Sequence, residues 1–165
     1  MNKKALYVSI TLWSVSFVWI AFIFANSLQT GSESGEMSGS VSRFINQLLS
    51  LIHPSLKLSH LFIRKMAHFS EFALLATLLC FAIRSRCRAQ GREVCRAEWV
   101  LLALPFSVIV AACDETIQLF TDGRSGSAVD VLIDSAGAAC ATLIFFLALC
   151  LTEKSRNKKS SDTDT

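Results

Sequence analysis

Three stretches of this chain carry residues that could do chemistry. Arg64, Lys65, His68 and Glu71 fall within eight residues of one another. Asp114, Glu115 and Gln118 form a second group, and Arg124, Asp130 and Asp134 a third. On a helix, residues three and four apart share a face, so Arg64 aligns with His68 and His68 with Glu71. Gln118 aligns with both Asp114 and Glu115 by the same rule. A histidine beside carboxylates can act as a general base. The same donors could bind a divalent cation, with oxygen-rich sets favouring Mg²⁺, Ca²⁺ or Mn²⁺. Arg64, Lys65 and Arg124 could instead hold a phosphate or carboxylate group. The spacing of His68 matches no zinc motif, and no Ser or Cys sits in a nucleophile-elbow context. Ser70 reads as an ordinary helix residue.

The elements that must position these residues are apolar. Residues 5–25 run without a charge, and 62–83, 99–120 and 128–151 are apolar apart from the groups just named. A helix needs about 20 such residues to cross a bilayer. The chain has 165 residues, 52% of them hydrophobic and only 18% charged. Its mean hydropathy is +0.47. These figures exclude wholesale disorder and argue against an ordinary soluble domain. The net charge of +3 sits in short clusters between apolar runs, with no basic aromatic face, so nucleic acid is not expected as a partner. The expected fold is all-α: a bundle of four transmembrane helices forming one domain over 1–151, followed by a disordered basic, polar tail over 152–165. The first apolar run is longer than a secretion-signal core and reads as an uncleaved span.

Lysine and arginine counts predict the orientation. The N-terminus, the loop after span two (Arg84, Arg86, Arg88, Arg92, Arg96) and the tail hold eleven. The opposite flanks hold five: Arg43, Lys57, Arg64, Lys65 and Arg124. Both termini are therefore expected in the cytoplasm, with 26–61 and 121–127 outside. The arginine-rich loop is a topology determinant, with docking of anionic lipid as a further option. None of the six cysteines falls in either outer loop, so no disulfide framework is expected.

Residues 26–39 are rich in Ser, Gly and acids and read as an exposed loop. Val41, Phe44, Ile45, Leu48 and Ile52 then repeat at helical spacing, opposite Ser42, Asn46, Gln47 and Ser50. This is an extracytoplasmic amphipathic helix between spans one and two, stopped near Pro54. It either packs on the bundle, lies on the outer interface, or covers a site that opens outward.

Antiparallel threading brings the three charged groups to one depth, in the outer half of the bundle. A charge at a span's centre costs about 2.5–3.5 kcal/mol on insertion scales. Five carboxylates (Glu71, Asp114, Glu115, Asp130, Asp134) face three cations, so ion pairing alone leaves the cluster unbalanced. A proton, a second cation or an anionic ligand on the basic side would complete it. Ser127, Asp130, Asp134, Gly137 and Ala141 form one stripe, polar outside and small further in, which suits close helix approach. Ser127 can cap span four, with Asp130 completing a capping-box pattern.

The segments FIRKMAHFSEFALLA and DETIQLFTDGRSGSAVDVLIDSAGA, with the acidic Ser-rich stretch before them, resemble the VanZ-like family. The matching positions are Lys65, His68, Glu71, Asp114, Glu115, Gln118, Gly123, Arg124, Asp130 and Asp134, and the resemblance extends over about 13–149. It implies a polytopic protein of the bacterial cytoplasmic membrane, in a family whose founding member is associated with resistance to teicoplanin-type glycopeptides. The family supplies no reaction to carry over.

The resulting expectation is a protein that binds or processes a polar, anionic group on membrane lipids or lipid-linked envelope precursors at the outer leaflet. Arg64, Lys65 and Arg124 would hold the anion, with Asp114, Glu115 and Gln118 lining the site. His68, Glu71, Asp130 and Asp134 would handle protons or a cation. The alternatives are a proton- or ion-coupled transporter of a small solute, or a non-catalytic interaction module. No cofactor is certain, and the oligomeric state is open.

Overall fold

The computed structural model describes the backbone of residues 2–55, 57–91 and 96–163, and the side chains of 2–55, 57–91 and 102–152. Five helices account for nearly all of it: α1 (Lys3–Ser27), α2 (Gly31–Ile52), α3 (His60–Ala89), α4 (Arg96–Leu119) and α5 (Ala128–Thr163). Among the described residues there is no strand. Helices α1, α3, α4 and α5 are each long and apolar enough to cross a membrane. The 25 residues of α1 rise about 37 Å, more than the roughly 30 Å of a hydrocarbon core. Large apolar side chains stay exposed along the bundle's outside, among them Val18, Phe17, Ile109, Leu132 and Ile144. Such a surface suits lipid, and the chain is a multi-pass membrane protein.

Two close approaches hold the bundle together. Helix α3 packs against α1 and α5, and α4 against α5. Between α3 and α5, a Cβ on Gly137 would collide with the Phe69 carbonyl, so only glycine permits this separation. The expected small-residue stripe is therefore the α3–α5 seam. In α1 the buried residues Ser9, Ser16, Ile23 and Ser27 form one face. Ser9 Oγ donates to the Ala82 carbonyl of α3 at 3.4 Å, and Trp19 Nε1 donates to the Glu71 carbonyl at 3.0 Å. Away from the charged groups the core is apolar, built from Phe72, Leu75, Leu79, Ile83, Ala103 and Val110. Buried Ser107 and Thr142 return their hydroxyls to carbonyls of their own helices.

Helix α2 begins ten residues earlier than the hydrophobic repeat implies. The Ser-Gly-rich stretch read as a loop is helical from Gly31. Thr30 and Glu33 form a capping box: Thr30 Oγ1 accepts from the Glu33 amide, and the Thr30 amide donates to Glu33 Oε2 at 2.9 Å. Its far end stops at Ile52, just before Pro54. The Asn46 amide group clamps the following loop, donating to the Leu58 carbonyl and accepting from the Leu58 amide. The first turn of α2 rests on the α4–α5 turn. There the Gly31 amide donates to the Asp122 carbonyl at 2.9 Å, and a Cβ on Gly31 would strike the Gly123 carbonyl. Gly123 itself has φ +72°, a conformation suited to glycine.

Helix α2 turns a mixed face of Ser34, Ser38, Ser42, Ile45, Asn46 and Leu49 toward the protein and leaves its largest apolar side chains outward. Ser42 is its buried residue, whereas Phe44 is 62% and Ile52 80% exposed.

At the other end of the chain, α5 continues to Thr163, where a disordered tail is expected. Glu153, Lys154 and Arg156 are good helix formers and extend a ladder that the span has already nucleated. Their side chains, those of Arg96, Lys158 and Lys159, and the whole of Arg92 lie outside the described residues. Among the described residues, Cys80, Cys113, Cys140 and Cys150 are free thiols.

Candidate functional site

Where the C-terminal end of α1 meets the N-terminal part of α3 and the α4–α5 turn, a cavity of about 260 Å³ opens. Arg64, Ala67, His68 and Glu71 line it from α3, one face of the helix as the spacing requires. Phe22, Asn26 and Ser27 come from α1, and Arg124 from the α4–α5 turn. Ser34, Met37, Ser38 and Val41 of α2 cover one side, so the amphipathic helix roofs the cavity. A hydrogen bond of 2.9 Å between Ser38 and His60 ties that roof to the start of α3.

Two guanidinium groups enter the cavity in different states. Arg124 Nη1 donates to the Asn26 carbonyl at 2.8 Å, and Thr121 Oγ1 donates to the Ser27 carbonyl at 3.1 Å. Both bonds satisfy carbonyls at the C-terminus of α1, where a cation also suits the helix dipole. Arg124 Nε is buried without a partner. Burial pushes the Arg124 guanidinium below its ordinary value. Arg64 is half-buried and, among the described residues, makes no hydrogen bond or ion pair.

Behind the cavity the acids divide into satisfied and unsatisfied. Asp114 is fully buried; Ser27 Oγ donates to its Oδ1 at 2.6 Å and Gln118 Nε2 to its Oδ2 at 3.1 Å. Glu115 accepts from Gln118 Nε2 at 3.1 Å and from the Ser127 amide at 2.8 Å. That second bond alters the expected cap of α5. Ser127 Oγ accepts from the Val129 amide, but the Ser127 amide goes to Glu115 on α4, not to Asp130. Asp130 instead pairs with Lys65 at 2.5 Å, each about one-third exposed. Such a pair contributes at most about 1 kcal/mol. Asp134 is fully buried and neither of its oxygens has a partner. His68 Nδ1 lies 3.9 Å away, beyond hydrogen-bond distance, and is equally unpartnered.

The structure thus brings Arg64, His68, Glu71 and Arg124 to one cavity, with Asp114 and Asp134 against His68. Gln118 Nε2 bridges Asp114 and Glu115 from the side. Lys65 and Asp130 pair with each other and do not line the cavity. The spacing argument missed Asn26 and Ser27 on α1 and Ser34 and Ser38 on α2. A signal for Ser27 was present: Ser9, Ser16 and Ser27 lie on one face of an otherwise apolar span.

No curated protein and no solved structure matches this chain significantly. A family model described as VanZ/LLP1 matches residues 12–149, which takes in α2, α3 and α4 whole, most of the spans of α1 and α5, and every residue of the cavity. This chain, with its charged cavity set into a four-span bundle, belongs to the VanZ/LLP1 family.

Proposed function

We propose that this protein binds the anionic headgroup of a lipid or lipid-linked cell-wall precursor at the outer leaflet of a bacterial cytoplasmic membrane. One observation carries the reading: Arg64, with no protein partner, faces the same cavity as Arg124 with its free Nε. A guanidinium spends its donors best on a phosphate or carboxylate, and a pair of them in a half-enclosed site strengthens that preference. The excess of Lys and Arg on one set of flanks supports cytoplasmic termini and, with them, a cavity that opens outward. The outward apolar face of α2 then lies in the headgroup region and brings the roof to where headgroups are. Beyond Phe72 the described interior is mostly apolar, and its buried hydroxyls, Ser9, Ser16, Ser107 and Thr142, are bonded to backbone carbonyls, which disfavours transport of a solute. Protection against teicoplanin would follow from a surface lipid or precursor altered or held by this site.

The test is teicoplanin susceptibility of a susceptible bacterium producing wild type, Arg64→Gln or His68→Ala, at matched membrane levels. The expected result is protection by wild type that both variants lose. Equal protection by all three would move the function away from the cavity.

A further inference from the structure

Among the described residues, Asp134 is the buried acid left without a hydrogen-bond partner. A fully desolvated carboxylate with both oxygens unsatisfied costs several kcal/mol unless something compensates it. His68 Nδ1, also unsatisfied, faces it at 3.9 Å. Asp114 brings a third donor, and one ligand atom from each of His68, Asp114 and Asp134 lies within 4.8 Å of the others. Ligand atoms around an ion at about 2.1 Å stand roughly 3.0–4.2 Å apart, so the three need only a small inward adjustment. We propose that His68, Asp114 and Asp134, one residue from each of α3, α4 and α5, hold a divalent cation.

Charge and support both fit. Two carboxylates balance one divalent ion, which removes the cost of burying Asp134. Ser27 and Gln118 hydrogen-bond the Asp114 carboxylate and fix its orientation, as outer partners of metal ligands do. Gly137, one turn beyond Asp134, allows α5 close enough to α3 for the donors to meet. One imidazole with two carboxylates suits Mn²⁺, Fe²⁺ or Zn²⁺ better than Ca²⁺, which takes six to eight oxygens. Three protein ligands leave coordination positions free, and His68 lines the cavity, so an anionic oxygen bound there could take one. The ion site does not depend on the headgroup reading, since it is complete in protein ligands without any lipid.

The experiment uses the full chain in nanodiscs of phosphatidylcholine, which carry no anionic lipid. The protein is stripped with chelator, loaded with Mn²⁺, desalted and measured by elemental analysis and pulsed EPR. Wild type is expected to retain close to one Mn²⁺ per chain, with nitrogen coupling from the imidazole. His68→Gln and Asp134→Asn should each lose at least about tenfold in retained metal, consistent with loss of a direct ligand. His53→Gln, which alters a histidine outside the bundle, and Arg64→Gln should retain it. Wild type without bound metal, Mn²⁺ without nitrogen coupling, or undiminished binding in both ligand variants would overturn the proposal. The wild-type spectrum decides even where a variant fails to fold. Metal retained by Arg64→Gln, with headgroup binding lost, would separate the two sites.

Discussion

Replacing Gly137 by alanine tests the packing that sets the whole site. In a helix where the new methyl meets nothing, glycine to alanine stabilises by about 1 kcal/mol, because alanine is the better helix former. At Gly137 the methyl meets the backbone of Phe69, which cannot rotate aside as a side chain would. Overpacking typically costs about 1–3 kcal/mol, and a clash with backbone puts this site in the upper part of that range, about 2–3 kcal/mol, so the net effect is a loss of about 1–2 kcal/mol. For a chain of this size that corresponds to a melting temperature lower by roughly 2–8 °C. Phe69 adjoins His68, so parting α3 from α5 also moves His68 away from Asp134. The assay is thermal unfolding in mild detergent, followed by the loss of the monodisperse species. Gly35→Ala is the control, since a Cβ there meets nothing within 4 Å, and it should be neutral or stabilising. The sign is decisive: a Gly137→Ala protein as stable as wild type, or more so, would refute the close α3–α5 seam.

Three further outcomes follow from the same geometry. Ser27→Ala removes the 2.6 Å bond to buried Asp114 and should destabilise the protein by about 1–3 kcal/mol in the same melt; an unchanged melt would contradict that bond. Glu33 is held below its ordinary value of 4.5 by hydrogen bonds to Thr30, so its cap is present above that value and is lost as pH falls through the lower folded one. Amide protection in the first turn of α2 should therefore drop in acid for wild type and stay independent of pH in Glu33→Gln, whose amide oxygen still accepts from the Thr30 amide; a pH-independent wild type would contradict the capping box. Reporter fusions at Gln90 and Gly35 should read cytoplasmic and extracytoplasmic respectively, and the reverse pattern would put the cavity on the other side.

What could be read in the sequence was what obeys local rules. Span length and apolar composition define α1, α3, α4 and α5, and three- and four-residue spacing puts Arg64, His68 and Glu71 on one face. What escaped it depends on partners far along the chain. Gly31–Gly39 looks like loop by composition, yet the Thr30–Glu33 box and the seat of Gly31 on Gly123 start a helix there. Asp130 stands where a capping box would want it, but Glu115 reaches across from α4 to the Ser127 amide and Asp130 turns to Lys65. The amphipathic pattern of α2 correctly marked a helix, but could not say which side faces the protein. For a helix on a membrane protein, lipid competes with the core for the apolar face. Arg124 was read as a ligand group from its charge alone; its bond to the Asn26 carbonyl shows that it also caps α1.

The central claim is that the cavity holds an anionic headgroup through Arg64. Native mass spectrometry of the purified protein exposed to phosphatidylglycerol and phosphatidylcholine measures this directly. The account predicts that wild type retains phosphatidylglycerol preferentially, and that Arg64→Gln, which breaks no bond within the described protein, loses that preference by about tenfold, a difference of 1.4 kcal/mol. Equal retention of the two lipids by wild type, or an undiminished preference in Arg64→Gln, would contradict it.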